Sequence, residues 1–466
     1  MIINNTTPIS RIPANPAFAQ LFADVQANVL KAHGRSNVHL LFLNFGGDKS
    51  VVRNWLAKDI ATRVTSFSKQ LDITSRFKAE REFADPGICT FSISNSGFVA
   101  IGINQNFGDD SFKRGLNGSI PLDPPIGSWD DAYQNKLHAL VILANTNEGG
   151  VDELTKMVQA FKAGFPKSVS VVAEERGQAL PGEKEHFGFA DGISQPRFFI
   201  EDMQKSDSTI NWNPFASLDL ALVKDPLGRS FSSGITGDGD LPTNDESGDH
   251  GYGSFLVFRK LEQDVDGWNK AVVSVSTSIG MNPGLFGAYA VGRFQDGTPV
   301  VLHGTPAPTT PPENDFDFQS DKNGMKCPFH SHIRKSNPRG DTTSLGATLE
   351  DEKKHRISRR GIPYATKDNK KGLLFMCYQS SITSQFEFMQ NAWVNNTNFV
   401  KPNTGNDSTI GEGPVKSKQW PHPHGGPQQV SASFDSFVKM RGGEYFFTPS
   451  ISTFRNIGLN TNARSV

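Results

Sequence analysis

Apolar residues recur along this chain at spacings typical of either helices or strands. The first clear pattern begins at Asn15 and Pro16, a pair that favours a helix start, and continues towards Gly34. Apolar side chains recur there every three or four positions, which places them on one helix face. The pattern predicts an amphipathic helix whose apolar face comprises Phe18, Leu21, Phe22, Val25 and Val29.

Short apolar runs rich in strand-forming residues follow this helix. The runs 38–45 and 137–145 are bounded by polar or glycine-rich segments, which predicts two buried strands. The segment VDELTKMVQAFKAGF then places apolar residues at helical spacing. The first half of the chain therefore combines strands with helices that are apolar on one face.

The second half repeats this organisation without a literal sequence repeat. The runs 253–261 and 372–379 again predict strands. The segment after the second run predicts a helix with an apolar stripe made of Ile382, Phe386, Met389 and Trp393.

These two halves predict an α+β fold in which helices cover sheets. The polar, glycine-rich stretch 231–251 has no apolar periodicity and is typical of a surface loop near a domain boundary. A single core stops growing at about 250 to 300 residues, and this chain has 466. We therefore expect two domains, residues 1–235 and residues 236–466.

The composition argues against several classes of partner. The 47 Lys and Arg residues nearly balance the 48 Asp and Glu residues, so no basic field favours nucleic acid or an acidic membrane surface. No stretch approaches the ~18 apolar residues of a membrane span. We expect a small-molecule or protein partner, with no nucleic acid and no membrane.

Cysteine spacing bears on the cellular compartment. Cys89, Cys327 and Cys377 form no CxxC pair and no even-numbered set, which argues against a disulfide framework and against a cysteine zinc site. The first residues contain no basic region followed by an apolar run. We expect a reducing, cytoplasmic location.

The stretch EHFGFADGISQPRF places one carboxylate, Asp191, between Gly188 and Gly192. An Asp beside a Gly is most often a turn former, because its side chain bonds the local backbone. A carboxylate held in place for chemistry is the alternative interpretation. This stretch alone leaves both open.

Two histidine pairs are candidates for metal binding. His330 and His332 stand two residues apart in KCPFHSHIRKSNPRG, and His422 and His424 do so in PHPHGG. Two such histidines point the same way in an extended chain and are able to bind zinc. No neighbouring Asp, Glu or Cys completes a recognisable zinc signature, so a zinc enzyme is only an alternative hypothesis.

A third segment, HRISRRGIPY, carries paired arginines, Arg359 and Arg360, immediately before a glycine. For Arg360 we favour the interpretation of a solvated basic cluster. With this segment the chain holds three motifs that occur together in one known family.

The chain resembles the dye-decolourising peroxidases, a family of haem peroxidases. GFADG looks like the distal-aspartate motif of the family, HSHIRKSNPR like its proximal-histidine segment, and RISRRGIPY like its distal-arginine segment. The segments DVQANVLKAHGR, GSFLVFRKLEQDV and GLLFMCYQSSITSQFEFMQNAWVNN also occur in the family's order. The length is most similar to the longer subfamily, which has fungal and some bacterial members.

This resemblance implies a fold of two ferredoxin-like halves, each an antiparallel sheet covered by helices, of the dimeric α+β barrel type. It also implies that haem lies in the second half, beneath the Asp191 loop. His332 would then be the proximal ligand of the haem iron, with His330 as the other candidate. Asp407 would accept a hydrogen bond from the ligand, unless it only forms an ordinary Asx turn.

The remaining roles follow from the same resemblance. Asp191 would move the proton during peroxide cleavage, and Arg359 would stabilise developing charge. Leu373 and Phe375 would face the distal pocket. Gly188 and Gly192 would let the backbone approach the flat macrocycle. Either Arg334 or Arg339 would pair with the haem propionates, and a surface position is the alternative for each.

The implied activity is that of a peroxidase with non-covalent haem b, since no CxxCH motif occurs. It would reduce hydrogen peroxide and oxidise aromatic dyes or phenolic donors by one-electron steps through an oxoferryl intermediate. Bulky dyes cannot enter a narrow pocket, so we expect electron transfer through a surface Tyr or Trp. A non-catalytic haem carrier or sensor is the main alternative. The expected state is a monomer or homodimer.

Overall fold

The computed structural model describes residues 7–80, 84–120, 122–146, 152–203, 212, 215–228, 251–414, 416–434 and 436–459. All three cysteines lie in these ranges, and each is free and buried. None of the helices within these ranges is both long and apolar enough to cross a membrane.

Twelve strands are found in the described part of the chain, ten of them in one antiparallel sheet. They are β1 (Asn37–Phe45), β2 (Ile88–Ser94), β3 (Ala139–Asn145), β4 (Val169–Gln178), β5 (Val223–Asp225), β6 (Gly251–Gln263), β7 (Ser358–Arg359), β8 (Ile362–Ala365), β9 (Lys371–Gln379), β10 (Ser417–Pro421), β11 (Gln429–Ser433) and β12 (Val438–Thr448).

Helices connect and cover these strands. The α-helices are α1 (Pro16–Asp24), α2 (Lys49–Trp55), α3 (Ala61–Arg63), α4 (Phe67–Ala79), α5 (Asn95–Ala100), α6 (Asp110–Arg114), α7 (Glu153–Ala163), α8 (Val265–Ser278), α9 (Pro283–Val291), α10 (His332–Ser336), α11 (Leu349–Lys353) and α12 (Ile451–Leu459). Wider π-helical segments span Leu56–Ile60, Ile382–Glu387 and Met389–Val394, and 3₁₀ turns span Ile126–Ser128, Asp131–Gln134, Ile200–Asp202, Leu218–Leu220, Gln319–Asp321 and Asp341–Leu345.

The strand order confirms the predicted α+β fold class. The first four strands lie in the order β4-β1-β3-β2, with helices between β1 and β2 and between β3 and β4. The second half has the equivalent order β12-β6-β9-β7. Each half therefore has the βαββαβ connection and strand order of a ferredoxin-like unit.

The two halves form one continuous sheet. Phe446 of β12 pairs with Ser94 of β2, and Phe447 pairs with Ile93. At the opposite edges, β4 and β8 approach each other, because Gly177 leaves room for the side chain of Ile362. The aromatic core lies between these two places where the halves meet.

The predicted domain boundary at residue 235 lies outside the described residues. Within the described residues, each half also contributes an element that packs on the other half. β5, which precedes the boundary, pairs with β6. The C-terminal α12 packs on the π-helical segment of the first half, where Gly458 contacts Ala57. The division 1–235 and 236–466 stays a prediction.

Two predicted helices differ from the observed ones. The first ends at Asp24, because Val25 is extended and Gln26 turns into the core. The Gln26 side chain accepts a hydrogen bond from the Phe91 N–H and donates to the Phe91 and Pro449 carbonyls. The stripe from Ile382 to Trp393 is buried as predicted, but the backbone there is π-helical.

Candidate active site

A cavity of about 240 Å³ lies in the second half, between α10, β9 and the segment that carries Asp191. Asp191 and Arg359 line it, and so does His332. The structure thus brings together three residues, the first and last of which are 168 positions apart in the sequence.

Asp191 stands at the base of a small hairpin. Its N–H donates to the Glu183 carbonyl, and the Glu185 N–H donates to the Phe189 carbonyl across the turn. Phe187 at the tip stacks on Trp268, with 4.4 Å between the ring centroids. An aromatic pair of this kind fixes the hairpin on the core of the second half.

The two glycines of the hairpin have different roles. Gly188 has φ +92°, and a Cβ there would lie 2.8 Å from the Gln295 amide nitrogen, so the close neighbour is a protein side chain. Gly192 has φ +76°, and a Cβ there would meet no atom within 4 Å. Gly192 lines the cavity, so of the two it is the glycine that leaves space for a flat ligand. The prediction for Gly188 is therefore wrong.

Asp191 and Arg359 form an ion pair with 2.7 Å between Oδ1 and Nη1. Nη2 of Arg359 also donates to the Ser194 carbonyl. Burial raises the pKa of Asp191, but the Arg359 guanidinium and the Gly192 N–H outweigh it and hold this pKa below its usual value. The carboxylate is therefore ionised down to acidic pH.

His332 begins α10, and its Nδ1 lies 2.8 Å from Oδ2 of Asp407. The other oxygen of Asp407 accepts hydrogen bonds from the Thr409 and Ile410 N–H groups. Burial lowers the pKa of His332, but the Asp407 carboxylate more than offsets this and raises it above its usual value. Asp407 thus makes an Asx turn and orients the imidazole at the same time.

His330 lies behind this site and does not line the cavity. Its Nδ1 hydrogen-bonds with the Ser408 hydroxyl, and its Nε2 with the Gln419 carbonyl. Burial lowers the pKa of His330 to about 3, so the ring is neutral. Both nitrogens are used, which leaves His332 as the histidine of this pair available to a ligand.

The zinc hypothesis receives no support from the described residues. His424 uses Nε2 to bond the Val300 carbonyl. Within the same ranges, no group of three or more His, Cys, Asp and Glu side chains is arranged to hold a metal ion.

Arg334 corrects one prediction, because it points away from the cavity. Its guanidinium forms ion pairs with Asp321 and Asp341, at 2.9 and 2.6 Å, and donates to the Cys327 carbonyl. All of its N–H groups are used in these and neighbouring hydrogen bonds. Arg334 braces the proximal segment and has no donor left for a propionate.

Arg339 does line the cavity, together with Arg293, which the sequence analysis missed. Both arginines donate to the Asn314 amide oxygen and to backbone carbonyls, and within the described residues neither forms an ion pair with a carboxylate. The buried Nε of Arg339 has no hydrogen-bond partner there. Burial and the Arg293 charge lower the pKa of Arg339 well below its usual value. This wall therefore favours an anionic group.

Leu373 and Phe375 project from β9 into the cavity. Their neighbours Leu374 and Met376 are buried on the other face, as expected for a strand. Arg360, next to Arg359, is not solvated as predicted: it donates to the Asn28 and Val29 carbonyls.

The expectation of a surface relay is wrong in its simple form. All six Tyr and all six Trp residues of the chain are buried, none more than 7% exposed. The ring of Phe388 is 36% exposed, and its centroid lies 5.4 Å from that of the buried Trp393.

Comparison with known proteins agrees with this arrangement. The family model of the DyP dimeric alpha+beta barrel domain matches residues 24–181, and that of the Dyp-type peroxidase C-terminal part matches residues 313–405. Multifunctional dye peroxidase DyP2 from Amycolatopsis sp. is 34% identical over 98% of this chain and all of its own length. Dye-decolorizing peroxidase msp1 from Mycetinis scorodonius is 30% identical, over 93% and 87%.

A solved structure gives the same result. The crystal structure of a DyP-type peroxidase from Anabaena sp. superposes with a TM-score of 0.87 at 35% identity, covering 98% of each chain. The fold and the cavity therefore define a haem peroxidase of the α+β barrel class. The chain belongs to the dye-decolourising peroxidase family.

Proposed function

We propose that this chain is a haem b peroxidase that reduces hydrogen peroxide and oxidises aromatic dyes and phenolic compounds. The observation that carries the proposal is one cavity lined by the Asp191–Arg359 ion pair and by His332, which Asp407 holds from behind the wall. The relatives named above as dye peroxidases support the class of donor.

The donor set fits a non-covalent haem. Asp407 holds the proton on Nδ1 of His332, so Nε2 carries the lone pair that an iron ligand needs. Gly192 leaves open space beside Asp191. Arg339, with its unpartnered Nε, and Arg293 supply positive charge suited to the two propionates. Arg339 thus takes the role that the sequence offered to either Arg334 or Arg339.

A bound haem would supply the iron that reacts with peroxide and is reduced again by the donor. Asp191 is ionised and uses Oδ1 for Arg359 and the Gly192 N–H. Its Oδ2 is the atom we assign to take a proton from one oxygen of hydrogen peroxide and return it to the other. Arg359 stabilises negative charge on the peroxide, because its cationic guanidinium lines the cavity beside Asp191.

The carrier or sensor alternative requires His332 but no acid–base pair opposite it. The intact Asp191 and Arg359 pair supports the peroxidase instead. A monomeric or homodimeric state and a cytoplasmic location belong to the same proposal. Sedimentation velocity and cell fractionation test these two points separately from the chemistry.

The visible absorption spectrum of the haem-loaded protein, before and after one equivalent of hydrogen peroxide, tests the activity. We expect a ferric Soret band that shifts within milliseconds and returns when a phenol is added. The Asp191→Asn variant should keep the ferric band and lose the fast shift. A Soret band that peroxide leaves unmoved in the unmodified protein would favour the carrier, and no band at all would contradict the role of His332.

A further inference from the structure

Glu185 lines the cavity on the hairpin of Asp191, but neither step of the proposed chemistry uses it. Its carboxylate accepts three hydrogen bonds. Oε1 accepts the Phe189 N–H at 3.0 Å, and Oε2 accepts the Phe187 N–H at 2.8 Å. Oε2 also accepts the side-chain amide of Gln263, at 2.6 Å.

These hydrogen bonds hold the turn around Gly188. Phe187 and Phe189 flank Gly188, whose positive φ turns both neighbouring N–H groups towards the Glu185 side chain. A glycine in such a turn is flexible unless its neighbours are fixed. A single side chain that accepts hydrogen bonds from the N–H groups on both sides of the glycine holds both ends of the turn.

Gln263 extends the clamp from the hairpin to the sheet. It is the last residue of β6 and pairs with Val438 of β12, so it belongs to the rigid part of the second half. The hairpin lies in the first half of the sequence. The side chains of Glu185 and Gln263 therefore join the segment of Asp191 to the sheet that carries Phe375 opposite β6.

We propose that Glu185 is a positioning residue for Asp191: its carboxylate clamps the turn around Gly188 and ties it to Gln263, which fixes the carboxylate of Asp191 beside Arg359. This inference rests on the proposed function, because it concerns how Asp191 is placed for peroxide. Glu185 itself does not contact the peroxide in this assignment.

Glu185→Gln tests the clamp with the smallest possible change. A glutamine has one acceptor oxygen and places an NH₂ group against a backbone N–H, so at least one of the three bonds is lost. We expect kcat/KM for hydrogen peroxide to fall by about 10- to 100-fold, the effect of moving a catalytic group by around 1 Å. The KM for the phenolic donor should not change, because the donor does not use Asp191.

Glu183→Gln is the matched control. It makes the same chemical change two residues earlier, on an exposed side chain, and leaves the backbone carbonyl that bonds Asp191 in place. We expect this variant to have the same kcat/KM for peroxide as the unmodified protein. Thermal unfolding and haem titration of the apoprotein should give the same midpoints for both variants, which separates positioning from general loss of structure.

The double variant with Asp191→Asn gives the decisive comparison. If Glu185 acts through Asp191, Glu185→Gln lowers kcat/KM in the unmodified protein and changes it little in the Asp191→Asn background. Equal losses in both backgrounds would overturn the inference while leaving the proposed function intact. An Asp191→Asn variant with full activity would overturn the role of Asp191 and this inference with it, and the protein would still be a peroxidase. A Soret band that peroxide leaves unmoved in the unmodified protein would instead overturn the proposed function.

Gln263→Ala provides a second test should Glu185→Gln fail to fold. It cuts the tie to β6 but leaves the two backbone bonds of Glu185. We expect a smaller fall in kcat/KM for peroxide, again absent in the Asp191→Asn background. A folded Gln263→Ala protein with unchanged kcat/KM for peroxide would contradict the proposed clamp.

Discussion

Asp191 and Arg359 stand 168 residues apart in the chain, yet 2.7 Å separates Oδ1 of one from Nη1 of the other. The pair decides the charge state of the cavity wall. Burial by itself would favour a neutral carboxyl, and the guanidinium reverses this preference. A carboxylate that serves as a base must be ionised, so the pair extends the working range of Asp191 into acid.

This relationship predicts the pH dependence of the peroxide reaction. In the folded protein the pKa of Asp191 is below its usual value, so kcat/KM for peroxide falls only when the pH drops through that low pKa. In Arg359→Leu the guanidinium no longer opposes the effect of burial on this pKa, and the acid limb should move to higher pH by about one to three pH units. The pH profile of kcat/KM for hydrogen peroxide measures this.

The same shift has a consequence for stability. A depressed folded pKa stabilises the native state at a pH above the unfolded pKa, and this contribution is lost as the pH falls through the folded pKa.

Arg360→Leu is the control for the pH profile of Arg359→Leu, because Arg360 bonds the Asn28 and Val29 carbonyls instead of Asp191. An acid limb that moves equally in both variants would contradict the ion-pair explanation.

Haem titration of the apoprotein distinguishes the two histidines of the HSH motif. His332→Ala removes the nitrogen that faces the cavity, and we expect no tight haem binding and no normal Soret band. His330→Ala removes hydrogen bonds to Ser408 and Gln419, so we expect a lower unfolding temperature with haem binding retained. A His330→Ala protein that folds but binds no haem would reverse the assignment.

Asp407→Asn tests the orientation of the proximal imidazole. The asparagine oxygen would still accept the Thr409 and Ile410 N–H groups, which leaves its NH₂ group facing Nδ1 of His332. That nitrogen would then have to accept, and the ring proton would move to Nε2. We expect haem affinity to fall by about 10- to 100-fold. Affinity equal to that of the unmodified protein would show that Asp407 is only a turn residue.

Much of the fold could be predicted from the sequence, because the spacing of apolar residues indicates which faces are buried, and the motifs identified the main site residues. The direction in which each side chain points was harder to predict. Arg334 follows His332 by two positions on α10, a rotation of about 200°, so it points to the opposite face and meets Asp321. Arg293 lies in a segment without any motif, and only the tertiary structure places it beside Arg339.

Burial of the oxidisable rings leads to the last prediction. Since these rings are buried, a bulky dye has little direct access to them. Trp393 is covered by the exposed ring of Phe388, which stacks on His355 with 3.8 Å between centroids. Trp393 lies on the π-helical segment whose residues Met389 and Gln390 line the cavity. It therefore lies between a surface on which a flat dye can stack and the wall of the site.

Trp393→Phe keeps a buried aromatic ring but removes the oxidisable indole. We expect turnover of a bulky anthraquinone dye to fall several-fold, while turnover of a small phenol that enters the cavity stays unchanged. Trp55→Phe is the matched control, because Trp55 is similarly buried but packs on Phe91 and Phe165 in the first half. Steady-state rates with both donors measure the difference. Equal dye turnover in the unmodified protein, Trp393→Phe and Trp55→Phe would exclude Trp393 as the residue that passes electrons from the dye.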